Sequence, residues 1–274
     1  MHPQTDIIVL AHNQLAITKK FCELIFKNTD NFRLIFVDNA STDGTVEYIN
    51  KLKKQYNQLY VIRLENNEGV SGGRNAAYKY IEADFFICLD NDQFVNSGWL
   101  EELHSIRKHF DFDFLATDAW LLYPPDTKGV LMINGHQTAK RDYFPMNRCV
   151  DRTDKYSYAG GGGTLIKTSA AKALQFDDGT LYDMRFNPYA FEDPDLSWRA
   201  LQADMKIGWN YKSSIVHLGN KTTATQKSFS RMHQFYKSLK LFQNKWYPYY
   251  PEPMNMPIIP IIISNQEHLH GQTH

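Results

Sequence analysis

The feature that most limits the fold is an alternation in the first third of the chain. Continuous apolar runs at Asp6–Leu10 (DIIVL), Leu34–Val37 (LIFV), Leu59–Leu64 (LYVIRL) and Phe85–Leu89 (FFICL) alternate with stretches whose apolar residues recur at helical spacing. Ile17, Phe21, Leu24 and Ile25 mark a helix over Ala16–Phe26; Val46, Ile49, Leu52 and Tyr56 mark one over Gly44–Tyr56; a third spans Val70–Ile81. A strand that is apolar at every position is covered on both faces. Strand–helix alternation of this kind predicts βαβ units and an α/β fold, with a mostly parallel central sheet and helices on both faces.

In such sheets a ligand lies beyond the carboxyl ends of the strands. The residues that follow each strand are therefore the ones to weigh. After the second strand comes Asp38-Asn39-Ala40-Ser41-Thr42-Asp43-Gly44-Thr45, a polar turn into a helix in which Thr42 or Asp43 suits the N-cap. Capping does not explain Asp38, a carboxylate at the end of a buried strand, which needs a donor. A nucleobase N–H would serve, and so would a backbone amide. After the third strand, Glu65-Asn66-Asn67-Glu68-Gly69-Val70-Ser71-Gly72-Gly73-Arg74-Asn75 allows close backbone approach and puts an arginine in the first turns of a helix, which suits phosphate or nucleotide. An ordinary glycine-rich loop is the plain alternative.

After the fourth strand, Asp90-Asn91-Asp92 offers oxygen ligands for a hard divalent cation. Two further D-x-D pairs read differently. Asp111/Asp113 alternates with Phe110, Phe112 and Phe114, as the solvated face of a strand does, and Asp193/Asp195 sits at a helix start. There, in Phe191-Glu192-Asp193-Pro194-Asp195, Pro194 suits the first helical position, which makes Asp193 the expected N-cap. His217, at the end of Lys206–Val216 (one or two strands), is a core or surface residue, or completes a metal site begun by Asp92.

Trp99–His109 reads as a helix, Phe112–Thr117 and the TLIK run after Gly160–Gly163 as strands, and Pro194–Leu201 as a short helix. Residues 119–157, rich in Pro, Asp, Tyr and Arg, read as an insertion or long functional loop. Phe229, Met232, Phe235, Tyr236, Leu239, Phe242 and Trp246 form a helical stripe, and the tail from Tyr247 reads as irregular. The stripe is expected to pack on the sheet domain; the alternative is a peripheral membrane contact, since Lys237, Lys240 and Lys245 flank it.

These segments taken in order, DIIVLAHN, LIFVDNASTDGT, NEGVSGGRNAA, FFICLDND, GGGTLIK, FEDPDLSWRAL and IVHLG, closely resemble the family 2 glycosyltransferases of GT-A fold, in the style of the bacterial rhamnosyl-, galactosyl- and galactofuranosyl-type transferases of surface polysaccharides. The resemblance covers roughly residues 5–220. It implies a Rossmann-like nucleotide-diphospho-sugar transferase fold. A nucleotide-binding half would span residues 1–118, an acceptor region 119–157 and a catalytic half 158–225, with a C-terminal helix and proline-rich tail over 226–274.

By position, the resemblance implies that Asn13, Asp38, Asn67 and Arg74 hold the nucleotide, with Asp90 beside them. Asp92 and His217 would ligate Mn2+ or Mg2+, Gly161 and Gly162 would pass beneath the donor sugar with Glu192 nearby, and Asp193 would be the catalytic base. The implied partners are a nucleoside diphosphate sugar, UDP- or dTDP-linked, and a saccharide or lipid-linked acceptor. Two departures stand out: residues 119–157 carry no family pattern, and Ala11-His12-Asn13 replaces the Ser or Thr and Tyr that many relatives place before the Asn.

The chemistry calls for these residue types. A leaving diphosphate needs cationic neutralisation, and an attacking hydroxyl needs a carboxylate base. A single positioned base implies one displacement and inversion, because retention would require a second carboxylate as nucleophile. A sugar-phosphate nucleotidyltransferase would want glycine and a basic residue directly after the first strand, where this chain has AHNQLAITKK. A non-catalytic binding module fits a chain that had lost Asp92, Asp193 or His217; all are present.

Composition narrows the setting. Lys plus Arg equals Asp plus Glu at 30 each, which argues against a nucleic-acid-binding surface over the whole protein. Cys22, Cys88 and Cys149 are too few and scattered for a disulfide framework, so a reducing compartment is expected. No signal-peptide pattern and no apolar run long enough to span a bilayer is apparent, which implies a cytoplasmic protein, in the membrane-contact alternative peripheral at the inner face. From Asp204 to Glu252 every charged residue between is basic, a solvated face or one that meets phosphate.

Overall fold

The computed structural model describes residues 2–122, 131–133, 136–141, 158–160, 162–218, 228–246 and 259–260. In chain order the elements are β1 (Thr5–Ala11), α1 (Leu15–Asn28), β2 (Phe32–Asp38), α2 (Thr45–Lys53), β3 (Leu59–Arg63), α3 (Gly69–Tyr78), β4 (Phe85–Asp90) and β5 (Gln93–Val95). Then come α4 (Trp99–His109), β6 (Phe114–Leu122), β7 (Leu131–Ile133), β8 (His136–Arg141), β9 (Leu165–Lys167), α5 (Thr168–Ala173), a 3-10 turn (Met184–Phe186), α6 (Glu192–Gln202), β10 (Ile207–His217), α7 (Ser228–Trp246) and β11 (Ile259–Pro260).

The strands form one sheet in the order β11-β10-β6-β9-β4-β1-β2-β3. Strands β3, β2, β1 and β4 are mutually parallel, as the continuous apolar runs predict. The chain winds outward from β1 to β3 and then crosses to β4 on the other side of β1. That reversal opens a crevice at the carboxyl ends of β1 and β4. The parallel order is interrupted by β9, which lies antiparallel to both β4 and β6. Beyond it, β6 and β10 are again parallel.

Because successive side chains point to opposite faces, each central strand feeds two cores. Ile7 and Val9 pack with Phe21, Ile25, Trp99 and Leu103 of α1 and α4. Ile8 and Leu10 pack with Ala77, Ala171 and Leu196 of α3, α5 and α6. Cys22 and Cys88 are free and buried, with burial holding the Cys88 thiol up at about 11, so both act as small core residues. Cys149 lies outside the described residues.

Several local expectations are corrected. The Asp111/Asp113 pair precedes β6, and both carboxylates meet Lys167 across the sheet edge. Lys206–Val216 becomes one strand, β10, with an irregularity between Asn210 and Ser214. Part of the tail is regular, since Ile259–Pro260 pairs with β10. Within residues 119–157, the end of β6 and the short β7 and β8 form an antiparallel edge. Of the aromatic stripe, Phe242 and Trp246 are buried against Phe186, Phe191 and Trp198, whereas Met232, Phe235 and Tyr236 are exposed. The side chain of Phe229 is outside the described residues.

Candidate active site

The turns at the carboxyl edge hold one another. Asn13, in the left-handed region (φ 58), donates its N–H to Ser41 Oγ at 2.8 Å and accepts at Oδ1 from the Thr42 N–H at 2.8 Å. Asp43 does more than cap α2. Its Oδ1 accepts from the Thr45 N–H and hydroxyl, and its Oδ2 accepts from the Leu15 N–H at 2.8 Å, the first residue of α1. The N-cap position itself is Gly44.

Asp38 is fully buried at the end of β2. Its Oδ1 accepts from the Ser41 backbone N–H at 3.2 Å, while Oδ2 has no hydrogen-bond partner and only the Arg63 guanidinium at 3.8 Å. Both donors weighed from the sequence therefore have a place: a backbone amide takes one oxygen, and the second remains an unsatisfied buried acceptor. Such a group costs free energy until a ligand N–H reaches it.

Asn67 is exposed and accepts from the Gly69 N–H at 3.0 Å. Gly69 opens α3 with φ +66, where an added Cβ would lie 2.8 Å from the Pro188 backbone. Asn39, which the sequence reading passed over, closes this side by accepting from the Glu68 N–H and donating to the Gly69 carbonyl.

Arg74 is buried, and its guanidinium is committed to carboxylates. It donates to Asp193 Oδ1 at 2.8 Å and to Asp90 Oδ1 at 3.5 Å, lies 4.0 Å from Glu192, and stacks over the Tyr182 ring at 5.4 Å. The structure thus groups Arg74 with Asp90, Glu192 and Asp193, and leaves Asn13, Asp38 and Asn67 on the adjoining turns. Tyr182 had no signal in the sequence, since nothing local distinguishes it from a core tyrosine.

Asp193 is not the helix cap. Helix α6 begins at Glu192, and its N-cap is Phe191, which makes no side-chain cap hydrogen bond. Pro194 sits at the third helical position, which also lacks an intrahelical N–H partner, so proline is tolerated there. Ala190 (φ 80) and Phe191 (φ 72) are both left-handed, a conformation that costs on the order of 1–3 kcal/mol per non-glycine residue. This turn aims the Asp193 carboxylate at Arg74 rather than back along its own helix.

Glu192 is buried, and its Oε2 has no hydrogen-bond partner. Burial first, and then the neighbouring Asp193 charge, push its carboxyl up to about 8 against the opposing pull of Arg74. Near neutral pH it is a neutral acid. Burial also raises the Asp90 carboxyl, with Arg74 opposing.

Asp92 and His217 meet because β5, which directly follows the D-x-D, runs antiparallel to the end of β10 and pairs Gln93 with His217. His217 Nε2 lies 3.4 Å from Asp92 Oδ1, and the Leu218 N–H donates to the Asp92 carbonyl. Among the described residues no three His, Cys, Asp or Glu side chains form a ready metal cage. One carboxylate and one imidazole fit a divalent ion that draws its remaining ligands from a diphosphate and water.

Beneath Asp193 is a small cavity lined by Cys88, Gly160, Thr164, Tyr182 and Ser197, among others. The glycine segment is tied to α6 by the Ala159 N–H donating to Ser197 Oγ, and Thr164 Oγ1 donates to the Gly160 carbonyl. Gly163 takes φ +86, and a Cβ there would lie 2.5 Å from Thr117 Oγ1. Thr117 Oγ1 also donates to the Gly162 carbonyl at 3.4 Å. Gly161 lies outside the described residues.

The family model described as Glycosyl transferase family 2 matches residues 6–119, the stretch that carries Asn13, Asp38, Arg74 and Asp92. Over that stretch the chain is similar to the family 2 glycosyl transferases. Among curated relatives, a poly(ribitol-phosphate) beta-glucosyltransferase of Bacillus spizizenii is 26% identical over 61% of this chain and 25% of its own length. The chain spans a quarter or less of the first curated relatives it matches.

Two solved structures share the chain's fold. S. aureus TarS 1–349 in complex with UDP-GlcNAc is 17% identical with a TM-score of 0.59, covering 82% of this chain and 61% of that one. The mannosyltransferase PcManGT of Pyrobaculum calidifontis, in complex with GDP-Man and Mn2+, is 14% identical with a TM-score of 0.64, covering 94% and 68%. The chain has the GT-A fold.

Proposed function

We propose that this protein is a metal-dependent, inverting glycosyltransferase. It would move a sugar from a nucleoside diphosphate sugar, UDP- or dTDP-linked, to an acceptor hydroxyl of a saccharide or lipid-linked glycan in polysaccharide or glycoconjugate synthesis. The observation that carries this reading is the Arg74 guanidinium held between Asp90, at the end of β4, and Asp193, at the start of α6. It joins the end of β4, in the expected nucleotide half, to a carboxylate that borders a small cavity between the sheet and α6.

In this reading the open Asp38 Oδ2 accepts a base or ribose donor, and the turns of Asn13 and Asn67 border the same pocket. Asp92 and His217 would hold Mn2+ or Mg2+, which when bound neutralises charge on the leaving diphosphate. Asp193 Oδ1 is occupied by Arg74, which fixes the carboxylate; Oδ2 is left to take the acceptor proton. As that proton moves to Asp193, the acceptor oxygen bonds to the anomeric carbon. The bond from that carbon to the diphosphate oxygen breaks, and its electron pair leaves on the diphosphate. One base and one displacement invert the centre. Glu192, neutral near pH 7, adds no second nucleophile.

The test is Asp193→Asn. Turnover should fall on the order of 10²–10⁴-fold while UDP binding persists in protein that remains folded, although the buried Arg74 loses its nearest charged partner and stability drops. Nearly normal turnover would remove Asp193 from the base role.

The exposed Met232 and Tyr236, with Lys237 and Lys240 on the same helix, support weak peripheral contact with an anionic membrane at the cytoplasmic face. Among the described residues no helix is long and apolar enough to cross a membrane. Absence of co-sedimentation with phosphatidylglycerol vesicles at low salt would rule this contact out.

A further inference from the structure

Helix α7 lies beyond the matched family region, yet it grips the turn that carries the candidate base from both sides. Before the turn, Gln234 Nε2 donates to the carbonyls of Asn187 and Tyr189 at 3.3 and 3.4 Å, and Ser238 Oγ donates to the Tyr189 carbonyl at 3.2 Å. At the turn, the Phe191 ring packs against Phe235 and Phe242 at 5.3 and 5.4 Å. After it, Lys245 Nζ reaches Asp195 Oδ1 at 2.6 Å, and Trp246 Nε1 donates to the same oxygen at 3.0 Å.

Asp195 is completely buried and stands two residues past Asp193. Its other oxygen is taken by Arg199 of the same helix at 3.1 Å. Lys245 also bridges to Asp183 at 2.9 Å, which neighbours the Tyr182 that stacks under Arg74. The left-handed Ala190 and Phe191 thus have α7 contacts on both sides, while the segment before them is also held by the start of α3, where the Val70 N–H donates to the Pro188 carbonyl and Asn187 Nδ2 to the Glu68 carbonyl. A strained turn persists only where its surroundings over-determine it.

We infer that α7 is a positioning element for the reaction, and that Lys245 and Ser238 act through the Ala190–Phe191 turn to hold Asp193 against Arg74. Neither residue touches the reacting atoms. The inference rests on Asp193 being the base. Loosening the turn would let the carboxylate drift from its guanidinium, and small misplacements of a reacting group are costly.

The experiment measures UDP release from UDP-glucose and UDP-N-acetylglucosamine, with water as acceptor, for the full-length wild type and for Lys245→Met, Lys245→Arg, Ser238→Ala and Asp193→Asn. UDP–Mn2+ binding is followed in parallel by calorimetry. Lys245→Met should lower kcat on the order of 10–100-fold and leave UDP–Mn2+ binding unchanged. Lys245→Arg should restore most of the rate. Ser238→Ala, which removes only a hydroxyl, should act in the same direction and decides the matter if Lys245→Met does not fold. Loss of turnover in Asp193→Asn with unchanged kcat in folded α7 variants overturns the positioning role. Retained turnover in Asp193→Asn overturns the base assignment instead.

Discussion

Glu192 offers a perturbation whose size follows from the structure and needs no substrate. In the folded protein its carboxyl titrates near 8, against 4.5 for an ordinary glutamate, because it is buried beside Asp193. Between those values the folded state keeps a proton that the unfolded chain has released. Rising pH therefore favours unfolding, by up to about 1.4 kcal/mol per pH unit, and the effect stops growing above the folded value. The accumulated cost of ionised Glu192 is on the order of 5 kcal/mol at alkaline pH. Glu192→Gln removes the charge with nearly the same shape, and Oε2 has no partner to lose. Urea unfolding of both proteins from pH 5 to pH 9 reads this residue together with its coupling to the charges around Arg74, because the more distant titrations are shared. The variant should match the wild type near pH 5, gain on it steadily to about pH 8 and hold a constant advantage of a few kcal/mol above that. Parallel stability curves across the range would refute both the burial and the raised titration.

Two further outcomes follow. Gly69→Ala, at φ +66 and against the Pro188 backbone, should destabilise by roughly 1–3 kcal/mol and weaken UDP binding, read by urea unfolding and calorimetry. Asp92→Ala should leave UDP binding in EDTA unchanged but weaken Mn2+-dependent binding on the order of 100-fold or more, since even an outer partner of a metal ligand is worth about 10–100-fold.

Much of the fold before residue 118 is legible in the sequence because its signals are local. Continuous apolar runs mark β1 to β4, and the apolar period over Trp99–His109 matches α4 residue for residue. Parallel pairing then carries Asn13, Asp38 and Asp92 to one edge without further information. Short strands were harder to read. The three-residue β5 and β9 are too brief to show a period, yet β5 brings Asp92 to His217 and β9 breaks the parallel order. The start of α6 was misread because proline suits any position of a first turn, and nothing in Ala190-Phe191 announces left-handed backbone. The grouping around Arg74 was hidden for a different reason: its partner Asp193 is distant in sequence, and only the tertiary fold shows that the arginine faces carboxylates. The same holds for Lys245 on Asp195.

The central claim is that the carboxyl edge binds a nucleoside diphosphate through a divalent cation. The most direct measurement is a thermal-shift panel of UDP, dTDP, GDP and CDP, each with Mn2+ and with EDTA. A ligand that binds the native state raises the melting temperature by mass action. The account predicts a shift with UDP or dTDP that requires Mn2+. A folded protein whose melting temperature moves with none of the nucleotides would contradict it.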